Sequence, residues 1–251
     1  ITSAANEKVK LLSSLKDSKG RQGNGLYLVE GKKMLLEALA QGLSPACAFV
    51  LEDFDPDCTQ RIADTGAEIY AVSPSIMGRM SDAVTPQGAV AAFSIPENSP
   101  PVVAPLVLLD GVQDPGNCGT IWRTCEAAGF KAIVFGPGCA DPYSPKVVRA
   151  SMGAVFRIQA YGAPDLVQYA ADLRADGYSL LASALQGSDF YQREPVHPPY
   201  ALAIGSEARG ISDALLAQVS HIYRLPMAGK TESLNAAVAA GVIMYDLFSK
   251  G

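Results

Sequence analysis

The 251-residue chain is short of the residues that metal centres and export signals need. It has two histidines, His197 and His221, and five cysteines, Cys47, Cys58, Cys118, Cys125 and Cys139, none in a CxxC pair. Zinc sites are built from clustered Cys and His ligands, so no metal is expected. An odd, scattered set of thiols suits a reducing compartment, where they pack as small apolar side chains, and a cytoplasmic location is expected. No basic start followed by an apolar stretch and a small-residue cleavage site is visible, so no secretory signal is expected. The longest strongly apolar run, AAVAAGVIM at 236–244, is far short of the ~18 residues of a membrane span. It reads as a buried helix, with no membrane partner expected. A glycine-rich dinucleotide fingerprint is missing too, since GPG at 136–138 lacks the third glycine.

Positive charge is also scarce. The net charge of −5 argues against any general attraction for nucleic acid. Residues 1–24 depart from that average, with Lys8, Lys10, Lys16, Lys19 and Arg21 set against Glu7 and Asp17; the rest of the chain carries −8. Such an arm hints at a polyanionic partner, although a solvated helix face explains the same charges. With 49% hydrophobic and 18% charged residues the chain is an ordinary globular one, long enough for one large domain or two small ones.

What is present is an alternation of short apolar strands and helical segments, the pattern of α/β units. The first part predicts strands at 26–30, 46–52, 67–73 and 88–95, with helices near KKMLLEALAQ and TQRIADT closed by Gly42 and Gly66. Pro96, Pro100, Pro101 and Pro105 then forbid regular structure and mark a boundary. The division expected is 1–96, a linker at 97–104, and 105–251. The second part predicts strands at 106–110, 131–136, 156–161, 178–184, 200–205 and 222–226, with helices at 118–128, near PKVVRASMG, DLVQYAADLRADG and DALLAQV, and from about Ser233 onward. Strands this apolar are covered on both faces, so the sheet should be mostly parallel. The last helix is apolar nearly all round; either it is fully buried in one chain or one face meets a second subunit.

Ligands of open parallel sheets collect where strands end. Three polar turns have that placement. DGVQDPGNCGTIWRTCEAAGF (110–130) carries Asn117, placed as an N-cap, and Arg123, which could pair with Glu126. AIGSEARGIS (203–212) carries Glu207 and Ser212, the latter an N-cap. RLPMAGKTESLNAAVAA (224–240) carries Ser233, again read as an N-cap, and Asn235. Each alone is explained by capping; three together are less easily dismissed.

The trio NCGTIWRTCEAAGF, AIGSEARGIS and RLPMAGKTESLNAAVAAG resembles the three motifs of the SpoU family of RNA ribose 2′-O-methyltransferases, part of the SPOUT superfamily. DPYSPKVVRASMGAVFRI resembles the family's intervening segment, and ITSAANEKVKLLSSL with YLVEGKKMLLEAL resembles the substrate-binding domain that often precedes the catalytic one. The resemblance implies a knotted α/β catalytic domain at 105–251, with a trefoil knot near its end, that binds S-adenosylmethionine and forms a homodimer. It implies a smaller, ribosomal-protein-like α/β domain at 1–96 that binds RNA. Arg123 is implied in activating the 2′-hydroxyl, Asn117 and Glu207 in shaping the pocket, with Glu207 able to hold the guanidinium, and Ser233 and Asn235 in orienting substrate. Gly205, Leu225, Met227 and Leu234, with Ser183 beside them, are implied cofactor contacts. Lys146, Arg149 and Arg21 are candidate RNA contacts, with surface charge as the plain alternative. The expected activity is methyl transfer to ribosomal RNA of the 23S type. Transfer RNA as substrate, a resistance methylase, or a non-catalytic ribosome assembly factor of the same fold are the other readings, and the intact Arg123, Asn117, Glu207 and Asn235 speak against the last.

Overall fold

The structure, a computed structural model, describes Ile1 and residues 3–250. In chain order the first elements are α1 (Glu7–Ser14), α2 (Ser18–Asn24), β1 (Leu26–Glu30), α3 (Lys32–Ala40), β2 (Cys47–Leu51), α4 (Pro56–Ala63), β3 (Glu68–Val72), α5 (Pro74–Met80) and β4 (Ala89–Ser94). They are followed by β5 (Leu106–Asp110), α6 (Pro115–Ala127), β6 (Ala132–Phe135), α7 (Pro145–Ser151), β7 (Gln159–Gly162), α8 (Leu166–Ala175), β8 (Ser179–Asp189), β9 (Tyr200–Gly205), α9 (Asp213–Leu216), β10 (His221–Arg224) and α10 (Ala236–Lys250). These elements form two compact units. One comprises residues 1–97 with 143–156, the other 98–142 with 157–251. The short stretch 143–156, expected within the second part, thus packs with the first.

The first unit is a four-stranded sheet of order β1-β4-β2-β3, in which only β2 and β3 run parallel. Its helices start and stop where local chemistry dictates. Asp55 accepts the Cys58 N–H at 2.8 Å ahead of Pro56, which opens α4 with φ already set. Gly42 and Gly66 follow α3 and α4 with positive φ, as expected. Val9, Leu12, Leu28, Phe49 and Met77 fill a core on one face of the sheet. The α7 helix belongs to this unit, and the Tyr143 ring at its entry packs at a tilt against Tyr27, with ring centres 5.1 Å apart.

The second unit is a six-stranded sheet of order β10-β8-β9-β5-β6-β7, parallel throughout. Its central strands are buried along their length, as their unbroken apolar runs require. Leu106, Leu108, Val134, Leu180 and Ala203 form a core with Leu166, Ala170 and Leu173 of α8. The proline-rich segment after Glu97 is irregular, yet it is fastened to this unit. The Asn98 side chain donates to the Gly162 carbonyl at 3.0 Å and accepts its N–H at 2.8 Å, covering the open edge of β7. Tyr178 Oη donates to the Val103 carbonyl at 3.2 Å.

Several expected boundaries shift. The strand expected at 156–161 begins only at Gln159, because residues 154–156 make a 3₁₀ turn in the first unit. β8 runs on to Asp189, since its far end pairs with β10 at Tyr223 and Arg224. α10 buries Ala237, Ala240, Ile243, Met244 and Leu247, but leaves Val238, Tyr245 and Phe248 about half exposed or more. It is therefore not fully buried within one chain. Among the described residues no helix is long and apolar enough to cross a membrane, and no cluster of His, Cys, Asp and Glu is arranged to hold a metal.

Candidate active site

β5 ends at Asp110, and Gly111 turns the chain with φ +65°. Asp114 then caps α6, its carboxylate accepting the Asn117 N–H at 2.8 Å ahead of Pro115. Asn117 is therefore not the N-cap expected. It lies inside the first turn, and Asp114's capping leaves its side chain free to act at long range. Its amide donates to Glu207 Oε1, and its oxygen accepts from Asn235 Nδ2 at 3.1 Å. Asn235 Oδ1 in turn accepts the N–H groups of Ala237 and Val238 at 2.9 and 3.3 Å. Asn235, not Ser233, thus caps α10, which starts at Ala236 rather than at Ser233. One chain of side-chain hydrogen bonds joins all three polar turns.

The turn that carries Glu207 is tightly built. Ser206 and Gly210 exchange backbone hydrogen bonds at 3.1 and 2.8 Å, and Gly210 has φ +68°. A Cβ at Gly205 would fall 2.1 Å from the Gly210 carbonyl carbon, so only glycine allows the loop to fold back on the strand end. Ser212 stands at the N-cap of α9 as expected, but its hydroxyl makes no capping bond.

Beside this network lies an open cavity of about 490 Å³. Gly205, Leu225, Met227, Leu234 and Ser183 all line it, and so do Glu207 and Ser233. Its volume suits a small organic molecule, and its wall mixes apolar residues such as Leu225 and Met227 with polar and charged ones. Arg209, Arg224 and Glu232 also line it, and no sequence reasoning singled these out.

Arg123 sits on the exposed face of α6, roughly 9 Å along the axis from Asn117 at 1.5 Å per residue. Neither partner considered for it is taken. Glu207 is bonded to Asn117, while Glu126 is held by Arg157, with Nη2–Oε2 at 3.0 Å. Arg123 has no hydrogen bond or ion pair among the described residues, so its guanidinium stands open to a ligand. The thiols nearby are spacers. Burial pushes Cys118 up to about 12, and its sulfur donates to the Val112 carbonyl.

The RNA candidates fare unevenly. Arg21 is buried, and Nη1 donates to the Leu15 and Lys16 carbonyls, both at 2.8 Å. It is a structural cation satisfying carbonyls at the end of α1, and so not an RNA contact. Lys8 of the same basic arm is engaged by Glu68 and Tyr70. Lys146 is exposed on α7, and Arg149 is paired with Asp82 at 2.9 Å at a partly exposed site.

Residues 104–245 match the model of the SpoU rRNA Methylase family. The chain belongs to the SpoU rRNA methylase family. Residues 6–91 match the MRM3-like substrate binding domain. The 23S rRNA (guanosine(2553)-2′-O)-methyltransferase RlmP of Bacillus subtilis is 36% identical over 98% of both chains. The AdoMet-bound rRNA methyltransferase of Sinorhizobium meliloti superposes with a TM-score of 0.88 at 30% identity, over 98% of this chain and 96% of that one. The SpoU methyltransferase AviRb of Streptomyces viridochromogenes, in complex with AdoMet, gives 0.89 at 26% identity over 97% of each. The range that matches the SpoU family spans the three turns that Asn117, Glu207 and Asn235 connect.

Proposed function

We propose that this protein transfers a methyl group from S-adenosylmethionine to a ribose 2′-hydroxyl of ribosomal RNA of the 23S type. The observation that carries the reading is the Asn117–Glu207–Asn235 network set beside a cavity lined by Gly205, Leu225, Met227, Leu234 and Ser183. Those five residues would hold the methyl donor, which supplies a methyl group on a sulfonium. The choice of ribosomal RNA follows the full-length relative RlmP.

The chain's own task is to make an alcohol attack. Arg123 stays protonated, since a guanidinium has a pKa above ~12, and so is no ordinary base. Without a partner among the described residues, it stabilises the oxygen as negative charge develops and grips a flanking phosphate. The proton leaves to that phosphate or to water. Asn117, Glu207 and Asn235 fix the three turns around the sugar, and Ser233 at the cavity wall orients it. Residues 1–96, with 143–156 packed among them, form the RNA-binding domain; 97–104 lead into the catalytic domain, which takes the rest of 105–251. Lys146 and Arg149 contact phosphate, Arg149 by exchanging Asp82 for RNA. The protein works in the cytoplasm as a homodimer formed through the apolar stripe Val238–Tyr245–Phe248.

Calorimetry and RNA mapping test this reading. The protein should bind S-adenosylmethionine and not a nicotinamide nucleotide. Deleting the gene should remove one 2′-O-methyl mark from 23S rRNA. An unchanged ribosomal RNA profile with a mark lost from transfer RNA would overturn the substrate.

A further inference from the structure

Asp110 is the last residue of β5 and pairs in register with Gly205, the last residue of β9. Its Oδ2 accepts the backbone N–H of Ser212 at 2.7 Å, 102 positions away. The Glu207 turn therefore leaves the sheet beside Asp110 and returns to its carboxylate. Between those two points the loop is closed on itself, by the Ser206–Gly210 pair and by the Arg209 N–H on Ser206 Oγ at 3.2 Å. On its other side, Asp110 leads through the Gly111 turn to the first turn of α6 and Asn117. The Ser212 hydroxyl makes no cap, so the Asp110 carboxylate is the side-chain anchor at the loop's far end.

We infer that Asp110 is a positioning residue that clamps the 205–212 turn at the distance where Glu207 meets Asn117. This rests on the methyl-transfer reading of the same site. Asp110 acts as a hydrogen-bond acceptor, so its charge and proton are not used. Asparagine keeps an acceptor oxygen at that position, and alanine does not.

The test compares Asp110→Asn, Asp110→Ala, Glu207→Ala and the Asp110→Ala/Glu207→Ala double variant in the whole chain, by hydrogen exchange and by steady-state methyl transfer. Asp110→Ala should raise exchange across 206–212 by about tenfold or more and lower kcat by about tenfold, with KM for RNA unchanged. Asp110→Asn should restore both to within about threefold of wild type. The double variant should be no slower than Glu207→Ala alone, because Asp110 acts through Glu207. Equal loss in Asp110→Asn and Asp110→Ala, multiplicative losses in the double variant, or unaltered exchange would overturn the assignment. Exchange reports on the clamp even if no methyl transfer is found, so failure of the clamp and failure of the activity are distinguishable.

Discussion

Asn117 and Glu207 stand 90 positions apart in the chain, and a side-chain hydrogen bond joins the first turn of α6 to the turn after β9. The same Asn117 accepts from Asn235 at 3.1 Å, so one amide serves as the hub of three segments. Replacing it by alanine leaves Glu207 without its donor and Asn235 without its acceptor. Asn117→Ala should slow methyl transfer about a hundredfold while costing about 1–2 kcal/mol in stability. Single-turnover rates alongside thermal melts check this; a rate above half of wild type would remove the hub from the mechanism.

Arg123 presents the opposite case, a cation on an exposed helix face with no partner among the described residues. Its loss should leave stability within about 0.5 kcal/mol and calorimetric donor binding nearly unchanged, yet reduce transfer about a thousandfold. Arg123→Lys should recover little, because an ammonium lacks the planar fork that grips phosphate. Near wild-type turnover in either variant would take Arg123 out of the reaction.

Asn235 does two separable things, capping α10 and bonding Asn117. Asn235→Ala should lose both, lowering stability by about 1 kcal/mol together with activity. Asn235→Ser should restore the cap but not the longer reach, so stability should return and turnover should not. Recovery of both would mean that the cap alone matters.

Much of this was legible in the residues. The apolar strands of the second unit gave their own positions, and the three polar turns were recognisable at strand ends because their glycines and prolines interrupt apolar runs. The residues proposed to hold the cofactor, Ser183, Gly205, Leu225, Met227 and Leu234, line one cavity. What could not be read was which polar side chain serves the backbone and which is left over. Asp114 and Asn117 both suit an N-cap, and only the helix start at Pro115 decides between them. Ser233 and Asn235 pose the same ambiguity. Arg21 looked like part of a basic arm because local sequence does not reveal that two carbonyls, six and five residues back, enclose its guanidinium. The pairing of Asp110 with Ser212 spans 102 positions, and no local pattern encodes it.

The exposed stripe on α10 carries the dimer proposal. Phe248 is 62% exposed, with Tyr245 and Val238 beside it on one helix face. Phe248→Glu should leave the fold intact, since the side chain contributes little to the monomer core, and should halve the mass seen by light scattering at micromolar concentration. A wild-type protein that is already monomeric would contradict the proposal outright.

The most direct measurement supplies the enzyme with S-adenosylmethionine labelled in its methyl group and ribosomal RNA from cells lacking the gene, then digests the product with alkali. A ribose 2′-O-methyl group blocks strand cleavage at its own nucleotide. The account predicts that the label appears in an alkali-resistant dinucleotide, and that it is lost with Arg123→Ala. Label released in mononucleotides, as from a methylated base, would contradict it.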